Sequence, residues 1–375
     1  MRKHPGSPLA ILAIFALFLA ACNGGGASPT EEESEAPASV PAATDEAEPT
    51  ETAGAGSDLK IGLVTDVGTL DDRNFNQYSW EGAKEGAAAI GAPEPQAVVT
   101  TASADYEANI QSFVDQDYDI IVTVGFAIGD ATAAAAEENP DIKFIGVDQF
   151  IAADPAPDNY QGILFAEAQP GYLAGIVAAS ISESGHVAAI GGSDTIPPVV
   201  SYMRGYENGA LSVNPDVQVS LEYISDDLNA AFNDPAGGKT FAQQFLQQNA
   251  DVDVLFQVAG KTGNGVLEAA CEAGIHGIGV DVDQHESTPE AAECIVTSAE
   301  KKLTNAVRQA IERIAAGEDV GGNVFNDASN DGIGLSPYYE AEDLITDETQ
   351  QLVDDALAAI AAGDLDPCSP NPCEP

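Results

Sequence analysis

The chain has 375 residues, 13 Lys+Arg against 61 Asp+Glu and a formal charge of -48, with 44% hydrophobic residues, 36 Gly, 22 Pro and five Cys. The length suits two globular lobes, and the charge excludes nucleic acid as a partner, because a phosphate backbone would be repelled and too few cations are present to release its counterions. A polybasic membrane-surface patch is excluded on the same count, and the acidity reads as a surface property that favours solubility outside the cell.

Arg2 and Lys3 precede an apolar run from Leu9 to Ala20, followed at once by Ala21-Cys22. This is the pattern of a secretory signal peptide, and the run is shorter than the roughly 18–20 residues that span a bilayer. Small residues before Cys22 are similar to the lipobox of bacterial lipoproteins, which would make Cys22 the lipidated N-terminus; ordinary signal cleavage beside an incidental cysteine is the alternative. Residues 22–57 hold eight carboxylates and no Lys or Arg among Gly, Ala, Pro, Thr and Ser. Such a stretch cannot build a core and predicts an acidic, disordered tether that holds the body off the membrane.

From residue 58 the chain alternates strand and helix signals. Strands are predicted at Leu59–Val64, Ala97–Thr100, Ile120–Val124 and Phe144–Val147, with helices at Asn76–Ile90, Tyr106–Gln116 and Asp130–Glu138 between them. A second series places strands at His186–Ile190, Gln218–Tyr223, Val254–Gln257, Gly277–Val280 and Cys294–Thr297. Its helices are Gly171–Ser182, Pro198–Leu211, Gly238–Asn249, Gly263–Ala273 and Lys301–Ala316. The rhythm predicts an α/β protein with parallel sheets covered on both faces. It is too many strands for one comfortable sheet, so two doubly wound lobes with a cleft between them are expected. Ligands of such sheets lie beyond the carboxyl ends of the strands.

Those ends carry the informative residues. Asp66 to Gln77 holds Asp66, Asp71, Asp72 and then Phe75 between Asn74 and Asn76. Asp72 reads well as a helix cap, whereas an aromatic flanked by amides suits stacking on a flat ligand whose edges need hydrogen bonds. Gly125-Phe126 leads to Asp130. Gly260-Lys261-Thr262 suggests a phosphate loop, but Leu255 stands where that motif needs its first Gly. Asp281 and Asp283 end another strand; Asp281 suits two sugar hydroxyls, and the bland reading is a turn cap. No metal site is expected there, because the sixth-position Gly of a calcium loop is missing.

Cys271, Cys294, Cys368 and Cys373 predict two disulfides in an exported protein. Zinc on Cys271, His276, His285 and Cys294 is the competing reading, with ligand spacing unlike known zinc modules. Neither a Gly-x-Ser-x-Gly elbow nor a His-Glu-x-x-His motif occurs. The residues therefore point to a binder with no cofactor, and no enzyme is expected.

Three runs, taken together, resemble the basic membrane protein (BMP) family of lipoprotein solute receptors for ABC importers, many of them purine-nucleoside binders. They are Val64-Thr65-Asp66 with Asp71-Asp72-Arg73-Asn74-Phe75-Asn76-Gln77 and Trp80-Glu81-Gly82, then Gln257 to Gly265, then Ile278 to Gln284. Gly191-Gly192, Arg204-Gly205-Tyr206 and Phe232-Asn233-Asp234-Pro235 add to the match, which extends from about Leu59 to about Ile360. The resemblance implies a type I periplasmic-binding-protein fold with three hinge crossings. Residues 58–167 with 298–325 would form one lobe, 168–297 with 326–366 the other, and 367–375 a Cys/Pro tail.

It further implies that Phe75 and Phe232, or Tyr206 in place of Phe232, sandwich a purine. Asp66 and Asp130 would meet base nitrogens, Gly260 would give a backbone contact, and Asp281 with Lys301, or Lys302, would hold the ribose. Lys261 stands where the family commonly has Gly. The expected function is capture of inosine, guanosine or adenosine by a lipid-anchored monomer on the outer face of a bacterial cytoplasmic membrane, and delivery to ABC permease subunits. Another small polar solute (a sugar or a signal molecule) and a nucleoside-processing enzyme are the alternatives.

Overall fold

The computed structural model describes residues 57–318 and 320–373. The expected signal peptide, Cys22 and the tether as far as residue 56 lie outside the described residues.

The first series of elements runs β1 (Ile61–Thr65), α1 (Phe75–Ala89), β2 (Gln96–Val98), α2 (Tyr106–Val114), β3 (Ile120–Val124), α3 (Gly129–Glu138), β4 (Lys143–Val147) and β5 (Tyr160–Phe165). The second runs α4 (Ala168–Ile181), β6 (His186–Gly191), α5 (Pro197–Val213), β7 (Gln218–Tyr223), α6 (Leu228–Phe232), α7 (Pro235–Gln248), β8 (Val254–Val258), α8 (Gly260–Ala273), β9 (His276–Asp281), α9 (Gln284–Ser287) and β10 (Ile295–Lys301). The chain then returns through α10 (Leu303–Ala315) and β11 (Gly322–Asn326) and ends with β12 (Ile333–Leu335) and α11 (Asp347–Ala362).

These strands form two six-stranded sheets, β11-β5-β4-β3-β1-β2 and β12-β10-β9-β8-β6-β7. Every pairing is parallel except that of β10 with the edge strand β12. β1, β3, β6 and β8 are buried along their whole length, the pattern of central strands with helices on both faces. The chain passes between the sheets after β5, after β10 and after β11. This is a type I periplasmic-binding-protein architecture.

α4 and α5 meet backbone to backbone on the second sheet. A Cβ at Gly175 would stand 2.1 Å from the Tyr206 carbonyl oxygen, and one at Gly209 only 1.9 Å from that of Tyr172. Only glycine admits this approach, and it fixes the helix whose first turns form one wall of the cleft. The Cys/Pro tail braces the same helix. The buried Asn208 amide donates to the carbonyls of Pro367 and Asn371 at 2.8 Å each, and its oxygen accepts the Asn371 amide at 3.0 Å. Cys271 is disulfide-bonded to Cys294 and Cys368 to Cys373, so the two cysteines proposed as zinc ligands are bonded to each other instead.

The structure departs from the sequence reading at the returns between lobes. β10 runs on to Lys301, because β9 pairs along one side of it and β12 along the other, with Lys301 opposite Ile333. Residues 298–301 therefore belong to the second sheet, and Asn326 still pairs with Phe165 in the first. The helix expected from Lys301 begins at Leu303. β5, β11, β12, α11 and the short helices α6 and α9 went unpredicted.

Candidate functional site

Both sheets point the carboxyl ends of their strands at one cleft, which holds about 720 Å³ of space, part of it open to solvent. Its walls include Asp66, Phe75, Phe126 and Asp148 from the first lobe and Tyr202, Phe232, Gly260, Asp281 and Lys301 from the second.

Lys301 ends β10 and is 4% exposed. Its ammonium lies 2.6 Å from Asp148 Oδ2, 3.0 Å from Glu167 Oε1 and 3.9 Å from Asp281 Oδ1. The rings of Phe75 and Phe165 at 5.3 Å and of Tyr202 at 5.6 Å complete its surroundings. Asp148 comes from the first sheet, Glu167 from the crossing after β5, and Asp281 from the second sheet, so one cation ties both lobes and a hinge. Burial works to lower its pKa, and the carboxylates of Asp148, Glu167 and Asp281 overcome this and hold it above the usual lysine range. Burial also pushes Glu167 up to about 7, against the pull of Lys301. Asp281 is pushed up to about 6 by burial, again opposed by Lys301.

Asp148 and Asp281 hold φ values of +59° and +65°. A left-handed residue at a strand end turns its side chain across that end, and Asp tolerates that conformation better than most. Such backbone concentrates at ligand sites.

Asp66 follows β1 and accepts the amides of Val67 at 2.5 Å and Ala127 at 3.2 Å. Burial raises it to about 7 in spite of those two donors. Gly125 makes room for it: φ is +111°, and an added Cβ would lie 2.1 Å from Asp66 Oδ2. Gly125→Ala is therefore expected to cost about 1–3 kcal/mol through forced backbone alone and to displace Asp66. Urea unfolding checks this, and an unchanged midpoint would refute it.

Asp72 does what its position suggested and caps α1. It accepts the amides of Asn74 and Asn76 at 2.9 Å and of Gln77 at 3.0 Å, and the Asn76 side chain at 2.9 Å. This capping sets Phe75, the first residue of α1, at the cleft. Phe232 closes α6 and reaches the cleft because residue 192 is glycine; a Cβ there would lie 2.2 Å from the Phe232 ring. Gly260, at φ +50°, sits against the same ring. Two buried acceptors on the cleft wall, Asp148 Oδ1 and Asn76 Oδ1, have no hydrogen-bond partner among the described residues, which suits a ligand bearing N–H or O–H donors.

The structure thus brings Asp66, Phe75, Phe232, Gly260, Asp281 and Lys301 together. Asp130 is corrected: it is exposed on the first turn of α3 and is not on the cleft wall, because a short 3-10 turn at Phe126–Ile128 intervenes between β3 and the helix. Tyr206 is buried in the second lobe's core, 5.2 Å from the Phe256 ring, and Lys302 pairs with Glu300 at 2.7 Å outside the cleft wall. Sequence reading missed Asp148, Glu167 and Tyr202. Asp148 was within reach, since it directly follows a predicted strand.

The family model described as "ABC transporter substrate-binding protein PnrA-like" (Bmp) matches residues 60–362. The chain belongs to the Bmp family. It is 30% identical over 298 residues to the ABC transporter nucleoside-binding protein BmpA of Lactococcus lactis subsp. cremoris, covering 74% of this chain and 82% of that one. Basic membrane protein A of Borreliella burgdorferi is also 30% identical, over 67% of this chain and 71% of its own. Among solved structures, an ABC transporter system solute-binding protein from Aeropyrum pernix K1 superposes with a TM-score of 0.74 at 27% identity, covering 82% and 92% of the two chains. One from Conexibacter woesei reaches 0.64 at 25% identity, over 82% and 98%. This Bmp protein is accordingly the substrate-binding component of an ABC transporter, with a nucleoside-binding relative, and the family works outside the cytoplasm.

Proposed function

We propose that the protein captures a purine nucleoside between its lobes, is lipid-anchored at Cys22, and hands the nucleoside to an ABC importer. The observation that carries the reading is the composition of the cleft: Phe75 of the first lobe and Phe232 of the second on its walls, with Asp66, Asp281 and Lys301 on the same cavity. Aromatic faces suit a base, and buried carboxylates accept from base N–H and ribose O–H groups. Asp281 beside a lysine is the arrangement that favours a diol. Asp148, with one free oxygen, takes the place that sequence reading gave to Asp130. No covalent step is involved; contacts to both lobes at once favour the closed state.

The test is calorimetric titration of the full chain, unfolded and refolded to strip carried ligand, with inosine, guanosine, adenosine, uridine and ribose. The expected result is 1:1 binding of the purine nucleosides, weakened by Phe75→Ala through the lost stacking face and about 5- to 150-fold by Asp281→Ala, since an unpaired buried group costs about 1–3 kcal/mol. Binding of ribose alone would move the ligand to sugars, release of free base would make the protein an enzyme, and silence from a cooperatively refolded chain would end the nucleoside assignment.

A further inference from the structure

The loop between β1 and α1 holds ligand-facing residues at both ends, Asp66 and Phe75, while its middle crosses to the other lobe. Lys261, on the first turn of α8, donates to Thr69 Oγ1 at 2.9 Å and lies 3.4 Å from Asp71 Oδ1. Arg73 reaches the other way and binds both oxygens of Glu290 at 2.6 Å. Between these pairs the buried Asn264 amide donates to the Asp72 carbonyl at 3.1 Å, and its oxygen accepts from Gln284 at 3.0 Å. Asp71, Arg73, Lys261, Asn264 and Glu290 line one depression outside the cleft, and Lys261 lines both that depression and the cleft itself. The mouth is therefore bridged by two ion pairs of opposite polarity with a buried hydrogen bond from the Asn264 amide between them.

We propose that Thr69–Arg73 is an electrostatic latch, closed by Lys261, Asn264 and Glu290, that holds the lobes shut and sets how long a ligand stays inside. Its ligand-release arm rests on the nucleoside reading; its closure arm does not. Two lobes rich in carboxylates repel one another, and only eleven Lys and Arg lie beyond residue 57. Three of them, Arg73, Lys261 and Lys301, bridge the lobes. Crossed polarity also fixes register, since a shifted closure sets like charges opposite each other. Arg73 sits at φ +61°, which turns its side chain from the α1 entrance across the mouth. Lys261 then has its own task as a strut across the entrance.

The experiment places a donor and an acceptor dye on exposed positions of the two lobes and reads the closed-to-open ratio by single-molecule energy transfer, with and without inosine, alongside inosine dissociation by stopped flow. Glu290→Arg sets like charges opposite Arg73 and is expected to lower the ratio and speed dissociation about five-fold, the scale of a rim ion pair worth up to about 1 kcal/mol. Arg73→Glu combined with Glu290→Arg is expected to return both to within two-fold of the parent, while Arg73→Glu alone behaves like Glu290→Arg. Equal ratios and rates in all four proteins, or a double variant no better than the singles, would overturn the latch. Failure of inosine to bind removes only the dissociation arm and the nucleoside reading; the unliganded ratios still decide the latch.

Discussion

Lys301→Met is expected to destabilise the protein by about 3–5 kcal/mol at pH 7.5, the cost of removing one partner from a buried ionic group. Three carboxylates, Asp148, Glu167 and Asp281, surround that ammonium. Without it they face one another while buried, and the methionine, though close in volume, answers none of their charge. The loss should shrink to less than half at pH 5, where Glu167 and Asp281, already held near about 7 and about 6 by burial, are neutral. Asp148→Asn in the Lys301→Met background should recover stability at pH 7.5, because it removes one of the stranded charges. Urea unfolding at the two pH values measures all of this. An equal loss at both would mean that lost packing, and not charge, is what Lys301 supplies.

The unaltered protein should be more stable at pH 5 than at pH 8, by about 2–4 kcal/mol, with each unit of pKa shift worth about 1.4 kcal/mol and the coupled groups adding less than fully. Burial raises Asp66 and Glu167 to about 7 and Asp281 to about 6. In the unfolded chain these carboxyls return to ordinary values near about 4. Across that window the folded protein holds protons that the unfolded chain has released. Their contribution is complete below the ordinary carboxylate range and fades as pH rises through about 6 to 7. Mutual repulsion among the 61 acidic residues pushes the same way. Exposed carboxylates lowered by ion pairing, such as Glu290 beside Arg73, titrate below the window. Thermal or urea unfolding between pH 5 and 8 checks the slope, and Asp66→Asn should flatten it, since the amide keeps an acceptor for the backbone donors and carries no charge. Stability that climbs toward pH 8 would show these carboxyls to be ionised.

Both expectations depend on residues whose meaning differs between chain and fold. The strand ends were legible: Asp66, Gly260 and Asp281 follow short β-branched runs, and a parallel sheet with covered faces has to deliver its strand termini to one side. Phe75 was legible for the same reason, being the aromatic at a helix entrance whose capping Asp72 could be recognised from spacing alone. Short apolar runs bounded by turn residues identified most strands because they are a local property of the chain. β5, β11 and β12 were not seen; the last two are edge strands, β11 paired only with β5 and β12 only with β10.

Charge balance inside the cleft is where sequence runs out. Asp148, buried against Lys301, directly follows a predicted strand, whereas Asp130, which faces solvent, opens a predicted helix; 18 residues separate them, and a 3-10 turn and a strand end in the left-handed conformation decide which one meets the cation. Lys301 and Lys302 are adjacent, yet the alternation of a strand sends one side chain into the cleft and leaves the other paired with Glu300 outside the cleft wall. The sequence by itself determined the two-lobe division, the covered parallel sheets and the side on which the cleft opens, because those follow from periodicity and short-range turn chemistry. Which carboxylates meet which cation was decided only by tertiary structure, because that pairing joins segments as far apart as Asp148 and Lys301, 153 residues along the chain, and depends on the water that their packing excludes.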